Sequence, residues 1–109
     1  METRNWSAWI DVMPMSNRTL YVTGEMMLKL IGVRPVLSKR VPQGINDTIR
    51  ILDLALKPLG PSAENDAPSD RWVPCRYEED LESAETTCKV VSIYYEDKLI
   101  ADIEVKTAH

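Results

Sequence analysis

TLYVTGEMMLKL, residues 19–30, alternates along most of its length: Leu20, Val22, Gly24, Met26, Leu28 and Leu30 fall in one phase, and Thr19, Tyr21, Thr23, Glu25 and Lys29 in the other. Successive side chains of an extended chain point to opposite faces, so this stretch reads as a long strand with one face in a core and one in water. A glycine inside such a strand marks a bulge or a close approach of another group, and Gly24 is read that way. Upstream, Trp6, Ala8, Ile10 and Val12 keep the same phase, and Pro14-Met15-Ser16-Asn17-Arg18 has the composition of a turn. Pairing Val12 with Leu20 and Ile10 with Val22 puts both apolar sets on one side, so the chain opens with a hairpin.

Working outward, Gly32-Val33-Arg34-Pro35 breaks the long strand, and Pro42-Gln43-Gly44 marks another reversal. The segment 36–41 between them reads as an edge strand, which Lys39 and Arg40 suit. Residues 45–57 divide the reading. As a helix, Ile45, Ile49, Leu52, Ala55, Leu56 and Leu59 share a face; as a strand, Leu52, Leu54 and Leu56 alternate in one phase and Ile45, Ile49 and Ile51 in the other. The β-branched residues and the strands on both sides favour a strand, with a bulge or a change of sheet to reconcile the phases. Residues 58–71 are polar and proline-rich and read as a long exposed loop.

The C-terminal third reads as a meander over 72–77, 87–95 and 99–106, with a tight turn at Glu96-Asp97 that sets Tyr94 opposite Leu99. Placing Cys75 opposite Cys88 puts Val73, Cys75 and Tyr77 on one face with Cys88, Val90, Ser92 and Tyr94. That face continues through Ala101, Ile103 and Val105, while Asp102, Glu104 and Lys106 point away. Six or seven strands at short intervals predict an all-β chain, arranged as an antiparallel two-sheet β-sandwich of immunoglobulin-like size. The expectation is a single domain over 1–109. The alternative is an α+β fold with one helix at 46–57 packed on an antiparallel sheet.

The chain has 109 residues, a formal net charge of -4, 44% hydrophobic and 28% charged residues. Such a composition suits a folded domain and argues against a nucleic-acid partner, which needs clustered Lys and Arg. No apolar run approaches the length of a membrane span and no signal-peptide core is visible, so the expectation is no membrane partner and a cytoplasmic location. His109, the last residue, is the sole histidine. A terminal imidazole is a poor general base, and two cysteines with twelve residues between them and one distant histidine lack the spacing of a zinc site. The reading is therefore no enzyme, no cofactor and no metal, with Cys75 and Cys88 as reduced thiols rather than a disulfide.

The expected function is a non-catalytic protein-binding or assembly module. In the meander register, Trp72, Val91, Ile93, Tyr95 and Ile100 gather on the face opposite the cysteines, where an outer strand face should be polar. That patch requires a cover, either from elsewhere in the chain or from a partner, a symmetric homodimer being one form. Alternatives are a small-ligand or carbohydrate site using a surface indole, Trp9 being out of phase with the core, and a protease inhibitor presenting the 58–71 loop.

Overall fold

The computed structural model describes residues 2–11, 18–29, 32–43, 48–58, 71–81 and 88–108. Among these, 84% lie in strands and none in a helix. The alternating stretch becomes β2 (Arg18–Leu28), and its inward phase of Leu20, Val22, Gly24, Met26 and Leu28 is buried throughout. On one side it pairs antiparallel with β1 (Thr3–Asp11), which completes the expected hairpin. The register differs by two residues from the reading above: Ile10 faces Leu20 and Ala8 faces Val22. A shift of two leaves every side chain on its own face, so the core is unchanged.

The remaining strands are β3 (Val33–Lys39), β4 (Ile49–Pro58), β5 (Arg71–Leu81), β6 (Val90–Tyr95) and β7 (Lys98–Ala108). All seven form one sheet in the order β3-β4-β6-β7-β1-β2-β5, curled until it nearly closes into a barrel. The expected antiparallel two-sheet sandwich is corrected in two respects: the strands form one nearly closed sheet and not two packed ones, and that sheet is mixed, because β1 runs parallel to β7 and β4 parallel to β6. Alternation reports which face a residue takes, and it is the same for parallel and antiparallel neighbours. The 46–57 helix gives way to a strand over its described part. Leu52 and Leu54 point into the core from β4, and the other phase, Ile49, Ile51 and Ala55, lies half-buried on the outside. Apolar residues on both faces produced the helical pattern without a bulge. Pro58 and Arg71, the ends of the expected loop, belong to β4 and β5, and the rest of that loop lies outside the described residues.

In the C-terminal third, β6 and β7 form the expected hairpin. Glu96 and Asp97 sit at its turn with φ of 50° and 63°, the double left-handed geometry of a tight two-residue connection, and Tyr94 faces Leu99. A bulge between Ile93 and Tyr94 then shifts the register, so Ile93 faces Ala101 and Val91 faces Ile103. The extra residue is Ile100 on β7, and it exchanges the faces beyond it, which brings Ala101 and Ile103 onto the inward face with Val91 and Ile93. β5 does not join this hairpin. It pairs with β2 over its whole length, Cys75 facing Gly24, so Cys75 and Cys88 are not cross-strand partners. Both are buried free thiols.

β3 and β5, the two ends of the order, come alongside each other without a ladder. Side chains bridge that seam. Glu79 lies in the inward phase of β5, and its Oε2 meets Arg50 from β4 at 3.1 Å and Lys39 Nζ from β3 at 3.6 Å, while Tyr77 donates its hydroxyl proton to Oε1 at 2.8 Å. The Arg50 and Glu79 side chains are 14% and 15% exposed, so this ionic cluster closes one end of the barrel over Leu52 and Leu81 in the same inward phases.

Candidate functional site

The ladder between β1 and β7 is short. It joins Ala8–Asp11 to Val105–Ala108, although β1 reaches back to Thr3 and β7 to Lys98. Before the joint the two strands part, β1 staying on β2 and β7 on β6, and a fork opens in the barrel wall.

The β1 arm owes its path to a bulge between Arg4 and Ser7, where Asn5 takes φ of 59°. Asparagine enters that left-handed region more readily than most side chains. Glu25 holds the arm from the outer face, accepting from Asn5 Nδ2 at 2.8 Å and Arg4 Nε at 3.1 Å. Those two bonds, Asn5 first, draw the Glu25 carboxyl below its ordinary pKa. The Arg4 guanidinium in turn lies 3.9 Å above the Trp72 ring. On the inner face, Trp6 lies against Gly24 so closely that a Cβ there would stand 2.3 Å from the ring. The close approach expected at Gly24 is thus that of an indole. Its Nε1 is buried and has no hydrogen-bond partner among the described residues.

On the β7 arm, Val105 donates its N–H to Lys89 O at 2.8 Å, on the β6 side. Backbone groups alternate sides along a strand, so those of Asp102 and Glu104 turn toward the fork. Before the joint, the groups of Asp102 and the N–H of Glu104 have no ladder partner on β1 among the described residues. Between the arms lies a groove of about 400 Å³. Trp6, Ala8, Ala101 and Ile103 line it from the inward phase, and Ser7, Asp102, Glu104 and Lys106 from the outward phase. Asp102 is held in place by Ser92, whose Oγ donates to Oδ1 at 2.6 Å.

The residues singled out from sequence are dispersed. Val91 and Ile93 are fully buried in the barrel core, and Tyr95 and Ile100 pack against that core. Trp72 stands on the outer face of β5 beneath Arg4, with no ladder between its strand and β6. The five therefore do not share one surface, and the cover for Val91 and Ile93 is internal. Trp9 stacks on Tyr21 across the β1–β2 ladder, ring centroids 5.4 Å apart at 20°. Asp102, Glu104 and Lys106 do point away from the core, as read. Their place at a fork leaves no mark in the sequence, because nothing in the alternation announces a parallel neighbour that pairs over only four residues.

Burial pushes the Cys75 thiol up to about 11, with the Glu25 charge adding to it. Burial likewise raises Cys88 and Tyr77, Glu79 working in the same direction on both and Arg50 against it. At the barrel end opposite the ionic cluster, a second cleft of about 360 Å³ is lined by Met26, Leu28, Leu56 and Tyr95, with Glu2, Met27 and Lys29 completing it. Among the described residues no three metal-ligating side chains converge, and no helix is long and apolar enough to cross a membrane. Comparison with protein-family models, with curated proteins and with solved structures finds no match to this chain.

Proposed function

We propose that the chain is a non-catalytic protein-binding module that engages its partner at the β1/β7 fork. The observation that carries this reading is the pair of strand arms, 3–7 of β1 and 98–104 of β7, with no ladder between them and a groove of about 400 Å³ in the gap. Unpaired strand edges are strong association sites because their N–H and C=O groups seek partners, and folded proteins commonly cover them. The two described thiols are buried and held protonated, which disfavours them as nucleophiles.

A photo-crosslinking residue placed at Ser7 in the producing cell tests the reading, with the same group at Lys57 of β4 as control. Adducts at Ser7 and none at Lys57 are expected. An adduct of twice the 12.4 kDa chain identifies a second copy, and any other mass a different protein. Equal labelling at both positions, or none at Ser7, refutes the proposal.

A second reading, small-ligand binding, is supported by the 360 Å³ cleft and not by Trp9, which is engaged with Tyr21. That volume lies within the range of small-molecule pockets, and its methionines adapt to varied apolar shapes. Titration with an environment-sensitive naphthalene dye tests it: loss of the signal in Leu56→Arg supports the cleft, and an unchanged signal rejects it.

A further inference from the structure

The binding reading above says where a partner docks; the geometry of the arms says how, and the following rests on that reading. β1 and β7 run parallel to each other, so one strand laid between them with the opposite direction is antiparallel to both. Antiparallel pairing is slightly the more stable arrangement per residue. The backbone groups of Asp102 and the N–H of Glu104 already face the gap, which supplies one edge for such a strand. Its side chains would alternate between the faces of the sheet, as every strand's do. Inward, they meet Trp6, Ala8, Ala101 and Ile103 in a groove of about 400 Å³, and the bulk of the indole on that side favours small side chains. Outward, they meet Asp102 and Glu104 against the single Lys106, a net negative rim.

We propose that the β1/β7 fork takes up an extended peptide segment as an added strand, antiparallel to both arms, with small side chains turned inward and basic ones outward. This is recognition by strand addition: the main chain supplies the pairing, and alternate side chains supply selectivity. Trp6, seated on Gly24, sets the depth of the inner side, and the Asp102 and Glu104 carboxylates set the sign of the outer side.

The test uses three synthetic octapeptides on the full chain at low ionic strength: alternating Lys–Ala, alternating Glu–Ala and alternating Lys–Leu. Affinity is followed by titration, and amide hydrogen exchange is read residue by residue. The Lys–Ala peptide is expected to bind about tenfold or more tightly than either of the others, a margin that one like-charge contact or one steric misfit supplies. With it bound, exchange at the Asp102 and Glu104 amides slows by about tenfold or more, as for groups newly engaged in a ladder. Glu104→Gln combined with Asp102→Asn, exposed isosteric changes that preserve packing, removes the preference for Lys–Ala over Glu–Ala while leaving the amide protection. Equal affinity for all three peptides, failure of any to bind up to about 1 mM, or protection that spares Asp102 and Glu104 overturns the inference. Crosslinking at Ser7 without amide protection overturns strand addition and leaves the broader reading standing. Absence of crosslinking removes both.

Discussion

Gly24→Ala is the substitution whose cost the structure determines most directly. A Cβ built on Gly24 stands 2.3, 2.5 and 2.7 Å from Cε3, Cδ2 and Cζ3 of Trp6. Carbon atoms in contact sit about 3.5 Å apart, so the ring must withdraw by about 1.2 Å at its nearest point. The colliding atoms belong to a rigid ring in the inward phase and not to the free end of a flexible chain. Overpacking of this kind costs about 1–3 kcal/mol, and the collision with three ring atoms places it near the upper value. Against that, alanine is favoured over glycine in a strand by about 0.5–1 kcal/mol. The expected net loss is about 2 kcal/mol, read as a fall in the urea midpoint at unchanged m. The cause is isolated by a double-mutant cycle with Trp6→Ala. With the indole gone the steric contribution vanishes, and Gly24→Ala becomes stabilising by about 0.5 kcal/mol, a coupling of about 2.5 kcal/mol between the two positions. A single-mutant cost below about 0.5 kcal/mol, or a cost that persists without Trp6, would refute the account of how the indole is seated.

Other consequences are open to measurement. Glu79→Ala removes the carboxylate that Arg50 and Lys39 share at the barrel end and should cost about 3 kcal/mol, the lower end for breaking a buried pair because both Arg50 and Glu79 keep some exposure; Glu79→Gln, which retains an acceptor for Tyr77, should cost less in the same denaturation assay. Cys75 and Cys88 should react with a disulfide reagent at mild pH far more slowly in the native protein than in urea, and immediate stoichiometric labelling without denaturant would contradict their burial. The folded chain holds the Cys75 proton to about pH 11 against 9.0 for a free thiol. The native state therefore binds more protons than the unfolded chain in that interval, and this contribution to stability is complete below pH 9 and lost as pH rises toward 11. Cys75→Ala should flatten the decline, whereas stability that rises over the same interval would reverse the assignment.

How far the sequence could be read depends on what each pattern encodes. The β1–β2 hairpin was legible because strict alternation on both strands tolerates a two-residue error in register: Leu20 is buried whether it faces Val12 or Ile10. The bulge at Ile100 was not legible, since one added residue leaves no mark on composition, yet it sets Ala101 and Ile103 on the inward face beside Val91 and Ile93, and the separation of Trp72 from them follows from β5 pairing with β2. Strand adjacency was legible for β6 and β7, joined by a two-residue turn, and illegible for β2 and β5, which pair over eleven residues although two strands intervene in the chain. The Glu79 cluster was hidden by its own chemistry. Glu78-Glu79-Asp80 reads as a solvated acidic run, and only the seam shows that its middle member faces inward to meet cations from two other strands. At the fork, Gly24 was the one residue that signalled a close approach, without naming what approaches.

The place of β7 in the sheet bears on how the chain acquires its fold. It comes last of the seven in chain order but stands fourth across the sheet, with β3, β4 and β6 on one side and β1, β2 and β5 on the other. Take it away and the ladder falls into two three-stranded pieces that meet only at the β3/β5 seam, one ending in the open edge of β6 and the other in the open edge of β1. A ribosome adds about 5–20 residues per second, so each newly made chain spends on the order of a second or more with both edges bare. Exposed edges of that kind invite pairing with other chains, and the lifetime of the hazard is set by how quickly β7 arrives. Synthesis that pauses after β6 and before β7 is complete should therefore favour aggregates over native protein.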